Sequence, residues 1–430
     1  MVESKDMKTL KNTILGKIPV HWEIKNLGDC ITTIIDHRGK TPQKMGGDWQ
    51  KNGIRAISAK NIKNEKLVNE DLIRCVSQEI YEKWMKEDIK PGDCFLVSEG
   101  ATLGENMYWD SNEKIVLSQR IFCIRSNENI LDSAYLSAYL NTSICQKEIE
   151  ARATGTTVLG LRQSEVRNLQ IILPTLKEQK FIGKFYKDIN KKIEINNEMN
   201  KTLEEMAQTL FKRWFIDFDF PNENGEPYRS SGGKMVDSEL GEIPEGWEIS
   251  DIYKISNVIY GAPFKSKQFN EDKKGFPLIR IRDLKTFNPQ FFTEENHPKK
   301  TLINPGDLLV GMDAEFRATP WLGKIGVLNQ RVCMFSPNKD TVGKYFLKMI
   351  LEKPLSFFEN SKVATTVIHL GKSDIDMIKI ICPNDLLLEK FKELTEHIYQ
   401  KKINNAQEIQ SLTEIRDTLL PKLMSGDIEV

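Results

Sequence analysis

The chain has 430 residues, enough for two or three domains that each bury a core. Charged residues make up 28% and hydrophobic residues 40%, which excludes a disordered chain and fits a globular one. Lysine and arginine total 61, as do aspartate and glutamate, so composition alone makes no case for nucleic acid, membrane or acidic partners, and any basic surface has to come from local clustering.

Cys30, Cys75, Cys94, Cys123, Cys145, Cys333 and Cys382 are odd in number and nowhere spaced as CxxC. That pattern reads as reduced thiols, not as a disulfide framework or a zinc site. No apolar run has membrane-spanning length, and the polar N-terminus carries no signal peptide, so the expected location is the cytoplasm.

Taken in order, the first pattern is Leu15-Gly16-Lys17-Ile18-Pro19-Val20-His21-Trp22. Then Asp36-His37-Arg38-Gly39-Lys40-Thr41-Pro42 puts cations and a hydroxyl on a Gly/Pro turn, and Arg55, Lys60 and Asn61 follow. Lys and Ser or Thr on turns suit phosphate oxygens, whereas Arg, Asn, Gln and Asp reach base edges. Arg38, Lys40, Thr41, Arg55, Lys60 and Asn61 are therefore candidate DNA contacts, the alternative being an ordinary solvated face. Pro91-Gly92-Asp93 precedes a predicted strand at Cys94–Val97, and Gln119-Arg120 precedes the apolar run 121–124. Gly155-Thr156-Thr157 either offers amides and hydroxyls to phosphate or is a plain turn.

Residues 182–213 contain no proline and, after Gly183, no glycine, with Pro174 just upstream. They predict one helix of roughly 32 residues, about 48 Å long. Ile182, Ile189, Leu203 and Leu210 form one seven-residue series, with Asn196 inside it, and Phe185, Met199 and Met206 form the series expected beside it. The aromatic run from Phe211 through Trp214, Phe215 and Phe218 to Phe220 reads as core or as a face that docks another subunit. The polar, glycine-bearing stretch 221–240 reads as a flexible linker.

The order then repeats. Leu240-Gly241-Glu242-Ile243-Pro244-Glu245-Gly246-Trp247 answers the first motif at an offset of 225, Pro305-Gly306-Asp307 answers Pro91-Gly92-Asp93 at 214, and Gln330-Arg331 answers Gln119-Arg120 at 211. Thr365-Thr366-Val367, Ser373 and Pro383 answer Thr156-Thr157-Val158, Ser164 and Pro174 at 209. A repeat this long means two homologous halves and not a solenoid. The second half's candidate contacts are Lys265, Ser266, Arg280, Arg282 and Asp283, then Arg317, Gln330 and Arg331. Gln119-Arg120 and Gln330-Arg331 stand out because they hold equal places in otherwise diverged globules, although bracing a shared strand end would explain them too. Ser373 with Asp376 has capping-box spacing. A second seam holds Phe391, Ile398, Leu412 and Leu419 with Asn405 inside it, and Leu394 and Ile415 in the other series. The two helices are expected to pair antiparallel, with Asn196 and Asn405 meeting near an approximate two-fold axis, where a polar residue lowers stability but fixes alignment.

No catalytic constellation accompanies this. Gly371-Lys372-Ser373 lacks the first glycine of a phosphate-binding loop, Thr366 standing in its place, and no GxGxxG opens a strand-to-helix unit. His21, His37, His297, His369 and His397 are isolated, so no metal site is expected. No Asn-Pro-Pro-aromatic tetrapeptide of an amino-methyltransferase is present, and Asp93 with Glu99 lacks the lysine of a nuclease set. A binding protein is expected.

From about Leu15 onward the chain resembles the specificity subunit of Type I restriction-modification systems. The resemblance rests on several motifs: the doubled Leu-Gly-x-Ile-Pro-x-x-Trp; Gly306-Asp307-Leu308-Leu309-Val310-Gly311-Met312-Asp313 with Leu328-Asn329-Gln330-Arg331-Val332; Gly155-Thr156-Thr157 leading to Pro174 and Glu178-Gln179; and Leu210-Phe211-Lys212-Arg213-Trp214-Phe215-Ile216-Asp217-Phe218. It implies an α+β fold with two mixed α/β target recognition domains, at 1–174 and 241–383. These would be separated by antiparallel spacer helices at 175–215 and 384–424, with a linker at 216–240 and a tail at 425–430. It further implies a non-catalytic chain that reads a bipartite, asymmetric site on double-stranded DNA. Two modification subunits would use S-adenosylmethionine to methylate adenine, and two restriction subunits would use ATP and Mg²⁺; this chain would bind no cofactor itself. The second half departs from the pattern at Val363-Ala364-Thr365 and at Asp385-Leu386-Leu387, which stands where the first half has Glu178-Gln179. The alternative from another class is a coiled-coil scaffold that binds protein and no DNA.

Overall fold

The computed structural model describes residues 10–155, 157–361 and 368–430. The expectations for Thr156, for Val363-Ala364-Thr365 and for Thr366-Val367 lie outside the described residues. The chain divides into two compact units, residues 1–192 with 412–430 and residues 193–411, so each unit takes a stretch from both long helices.

In the first unit a four-stranded antiparallel sheet runs in the order Asn106–Tyr108, Cys94–Val97, Ile121–Ser126, Ile31–Asp36. Neighbouring side chains on a strand point to opposite faces. Cys94, Leu96, Phe122 and Ile124 accordingly join a core with Trp22, Tyr135 and Ile182, while Phe95, Val97, Ile121 and Cys123 join another with Trp84 and Trp109. A sheet covered on both faces needs apolar residues at every place, which is why 94–97 and 121–124 read as unbroken apolar runs.

The first long helix spans Leu176–Phe211. It starts ahead of the seam pattern because Thr175 and Glu178 form a capping box: the Thr175 N–H donates to Glu178 Oε2 at 2.8 Å, and the Glu178 N–H to Thr175 Oγ1 at 3.4 Å. The same carboxylate accepts from the Trp22 indole at 3.1 Å, which ties the opening motif to the helix start. The end of the second long helix, Asp385–Ser425, belongs to this unit too. Its Leu420, Leu423 and Met424 share a core with Ile182 and Tyr186, and Arg416 donates to Asn190 Oδ1 at 2.9 Å.

The second unit repeats the sheet in the order Ser256–Tyr260, Val332–Pro337, Leu308–Gly311, Ala318–Pro320, again with apolar residues on both faces. The Pro-Gly-Asp turns repeat to the atom. Gly92 and Gly306 take φ of +98° and +88°, where a side chain would be strained. In each turn the aspartate accepts at 2.8 Å from the backbone N–H three residues earlier, Lys90 for Asp93 and Asn304 for Asp307.

In this unit one expectation is corrected, and one open alternative is decided in favour of core. The stretch 221–240 is no loose linker: Phe220 stacks on Tyr228 at 4.6 Å, Met235–Val236 pairs with Ile243–Pro244, and Tyr228, Met235 and Val236 pack on the core. The pairing mirrors the hairpin of Leu10–Thr13 with Gly16–Pro19, so the end of the supposed linker is already the first strand of the second repeat. Phe211, Trp214, Phe215, Phe218 and Phe220 are buried in that same core, which removes them as a docking face. A smaller correction concerns the cap predicted at Ser373 with Asp376. It sits two residues earlier, where the Gly371 N–H donates to Asp374 Oδ2 at 2.6 Å ahead of the short helix Lys372–Asp376.

The seam is half as expected. Ile182, Ile189, Asn196 and Phe391 and Asn405 are buried, and Leu203, Leu210, Ile398, Leu412 and Leu419 are half-buried. The companion series, however, lies one residue later than the apolar pattern indicated. Tyr186, Ile193, Asn200, Ala207 and Trp214 fill it on the first helix, and Thr395, Lys402, Ile409, Arg416 and Leu423 on the second. Met199, Met206, Leu394 and Ile415 point outward. Within the second unit, Asn196 bonds Glu408, Asn200 bonds Asn405, and Glu204 bonds Lys402. That order makes the helices antiparallel. The two asparagines do not hydrogen-bond each other: each amide NH₂ has another partner, and each Oδ1 is buried without a hydrogen bond. Replacing both Asn196 and Asn405 by Leu removes two unmet acceptors, each worth about 1 kcal/mol or more, and should raise the thermal midpoint in a melting experiment; an unchanged or lower midpoint would count against this view of the seam.

Candidate nucleic-acid interface

In each unit a pair of parallel strands ends in two adjacent turns. In the first, Ile54–Ile57 runs beside Val116–Leu117 and the turns are 58–61 and 118–120; in the second, Phe276–Ile279 runs beside Gly326–Leu328 and the turns are 280–283 and 329–331. The turns are built alike. Asn61 Oδ1 accepts from the Ser58 N–H at 3.1 Å, and Asp283 Oδ2 from the Arg280 N–H at 2.9 Å. Asn61 and Asp283, expected at base edges, are thus buried braces. Asn61 spends its NH₂ on the Val68 carbonyl, and burial raises the Asp283 carboxyl despite the Arg280 contacts. The residues beside them, Lys60 and Arg282, are exposed.

The partner turn carries the repeated pair. Gln119 and Arg120, like Gln330 and Arg331, are exposed, and the arginines take left-handed φ of +65° and +72°. A non-glycine residue there costs about 1 kcal/mol or more and persists where the surroundings impose it, often at functional sites. Each guanidinium leans on one carboxylate at 3.6 Å, Glu99 for Arg120 and Asp313 for Arg331. Asp313 also meets His369 Nδ1. Exposed pairs of this kind are weak and separate readily when a phosphate or base competes.

The first unit gathers Lys60, Gln119 and Arg120 around an open cleft of about 270 Å³, together with Ser58, Ser118, Trp49 and Arg74. Trp49 and Arg74 escaped the sequence reading. The only signal was an aromatic and a cation some 25 residues apart, and pairing of Gln50 with Cys75 is what brings them together.

The other candidates are placed elsewhere or already engaged. Arg38 forms a two-pronged pair with Asp36, its shortest contact 2.7 Å, and lies over the Phe122 ring at 4.5 Å. Lys40 donates to the Trp84 carbonyl at 2.8 Å and is half-buried, which lowers its ammonium pKa. Burial and, next, Lys40 push the His37 imidazole down to about 4, so that ring is neutral. Thr41 Oγ1 accepts from the Lys44 N–H at 3.4 Å. Arg55 is clamped between Glu113, at 2.6 Å, and Glu70, at 2.9 Å. In the second unit Lys265 and Ser266 are exposed on a separate turn, Arg317 is exposed ahead of Ala318–Pro320, and Arg280 lies over Phe291 at 4.3 Å.

Asp93 is fully buried and holds Arg125 at 2.7 Å, so it serves the fold. Among the described residues no group of three His, Cys, Asp or Glu side chains could hold a metal ion, and no helix is long and apolar enough to cross a membrane.

A family model described as the Type I restriction modification DNA specificity domain matches residues 19–205 and 244–414. The MjaIX Type I specificity subunit of Methanocaldococcus jannaschii is 26% identical over 100% of this chain and 99% of its own length. The HindI specificity subunit of Haemophilus influenzae is 26% identical over 80% of this chain and 88% of its own. Among solved structures, the S subunit of a Type I restriction-modification system from M. genitalium covers 94% of this chain and 96% of its own with a TM-score of 0.60 at 16% identity, a likeness of fold.

Proposed function

Since the chain belongs to the family of Type I restriction-modification DNA specificity proteins, we propose that it reads a bipartite, asymmetric site on double-stranded DNA, one half-site per recognition domain. The observation that supports this reading best is the doubled turn. Two globules with different loops present Gln119-Arg120 and Gln330-Arg331 from equivalent strand ends, each beside an exposed cation, Lys60 or Arg282. Arg and Gln can each make two hydrogen bonds to a purine edge in the major groove, and unlike surroundings of the two pairs give unlike half-sites. The recognition domains would be 1–174 and 241–383, with the long helices as the spacer between half-sites. Adenine methylation with S-adenosylmethionine and ATP- and Mg²⁺-dependent cleavage would belong to two modification and two restriction subunits, and this chain would supply no catalytic group.

Sequencing of methylated sites in cells with and without the chain tests the reading. The wild type should mark one split motif that disappears with the gene. Replacing Gln119 and Arg120 by Ala should relax the motif in one half only, and replacing Gln330 and Arg331 in the other only. A lost bidentate contact is worth about 1 to 3 kcal/mol of base discrimination. An unaltered motif in both double variants would refute the assignment. The scaffold alternative has lost its main support with the burial of Trp214, Phe215, Phe218 and Phe220.

A further inference from the structure

We propose that Arg74, held by Trp49, reads a guanine in the half-site of the first recognition domain; this rests on the DNA-reading function proposed above. Arg74 lies just before the strand Cys75–Val76, and the Gln50 and Cys75 backbones exchange hydrogen bonds of 2.8 and 2.9 Å, which sets Trp49 beside it. The guanidinium carbon lies 4.0 Å from the centre of the indole ring. Trp49 in turn packs against the fully buried Trp84, ring centres 6.1 Å apart, so the platform under the arginine is anchored in the core.

What marks Arg74 is the combination of a ring beneath its guanidinium and an edge that no carboxylate occupies. Arg38, Arg55 and Arg120 in the same unit each face a carboxylate, whereas no hydrogen bond or ion pair to the exposed Arg74 guanidinium forms among the described residues. An arginine supported on an aromatic face has lost rotamer freedom before it binds, and its free edge offers two parallel N–H donors. Arg74 lines the cleft together with Ser118, Gln119 and Arg120. The ligand matching two parallel donors from a positioned guanidinium is the O6/N7 edge of guanine in the major groove. A phosphate would also accept them, but phosphate contacts need no platform that fixes the plane, and the neighbouring Lys60 already supplies a mobile charge for that task.

The test uses the full chain with its modification partner, in cells whose methylated sites are sequenced and with the purified complex titrated on DNA at several salt concentrations. With Arg74→Ala, one G·C position in one half-site should lose discrimination by roughly 5- to 150-fold while the other half-site stays as in the wild type. Arg74→Gln should move that position from guanine toward adenine, the purine whose edge an amide matches. Trp49→Ala should weaken discrimination at the same position. Three outcomes overturn the inference: an unchanged motif in Arg74→Ala; relaxation at an A·T position; or a loss of affinity equal for all sequences with a shallower salt dependence, the mark of a phosphate contact. If the wild-type chain directs no split motif at all, the function proposed above fails and this inference with it. Melting of each variant separates these results from misfolding.

Discussion

Replacing Glu204 by alanine is expected to cost the second unit about 3 to 5 kcal/mol. Glu204 sits where both long helices meet the helix Lys344–Ser361, and it is the common partner of Lys348, at 2.8 Å, and of Lys402. All three side chains are at most 22% exposed. Burial alone would raise the glutamate's pKa, but the two ammonium groups overcome it and hold the carboxyl down at about 2. Without that carboxylate Lys348 keeps Glu352, at 3.0 Å, while Lys402 is left desolvated with no counter-charge from Glu204. The dependence on pH has a definite sign. A carboxyl that titrates near 4.5 when unfolded and near 2 when folded contributes its full stability above about pH 5, and that stability is lost as pH falls toward 2. The contribution is about 3 kcal/mol. Urea melts of wild type and Glu204→Gln between pH 6 and 2 check this. The wild type should lose stability over that window more steeply than the variant, and parallel curves would show that Glu204 carries no such linkage.

Lys402 also shows where the sequence was legible and where it was not. The repeat was readable because order survives divergence: Trp22 and Trp247 are each buried in the core of their own unit, Asp93 and Asp307 brace the same turn, and Arg120 and Arg331 take the same left-handed backbone. The sheet strands were readable because both their faces are buried. The companion seam was misread because its members are polar or small at the decisive places, Asn200, Ala207, Thr395, Lys402 and Arg416, while Met199, Met206, Leu394 and Ile415 on the outer face keep an apolar seven-residue rhythm. A hydrophobic pattern cannot mark a seam closed by hydrogen bonds and ion pairs. Among the candidate contacts, Asn61 and Asp283 have the right chemistry for base reading, but residue type does not reveal that a turn has consumed it. Arg74 and Trp49 were missed for the converse reason, since only strand pairing makes them neighbours.

Replacing Phe215 by alanine should cost about 3 to 5 kcal/mol, a drop of roughly 10 °C in the melting midpoint for a unit of this size. The first helix ends in a widened turn, closed by the Asp217 N–H on the Lys212 carbonyl at 2.8 Å, and this turn swings Trp214 and Phe215 inward. Phe215 then touches four elements at once. Its ring centre lies 5.1 Å from Phe211 on its own helix, 4.9 Å from Phe391 on the second long helix, 4.9 Å from Phe346 and 6.0 Å from Trp247 of the repeated opening motif. Truncation removes the transfer free energy of a buried ring and leaves a cavity whose rigid aromatic walls cannot collapse, so the upper part of the range is expected. Phe215→Leu keeps most of the volume and should cost less than half as much. A docking face would behave in the opposite way. In that case Phe215→Ala would melt like the wild type and show its effect only when a partner chain is added. A melting midpoint within 2 °C of the wild type would therefore restore the aromatic run as an interaction surface, and the proposed assignment of this chain as a DNA reader would lose one of the observations that favour it over a scaffold.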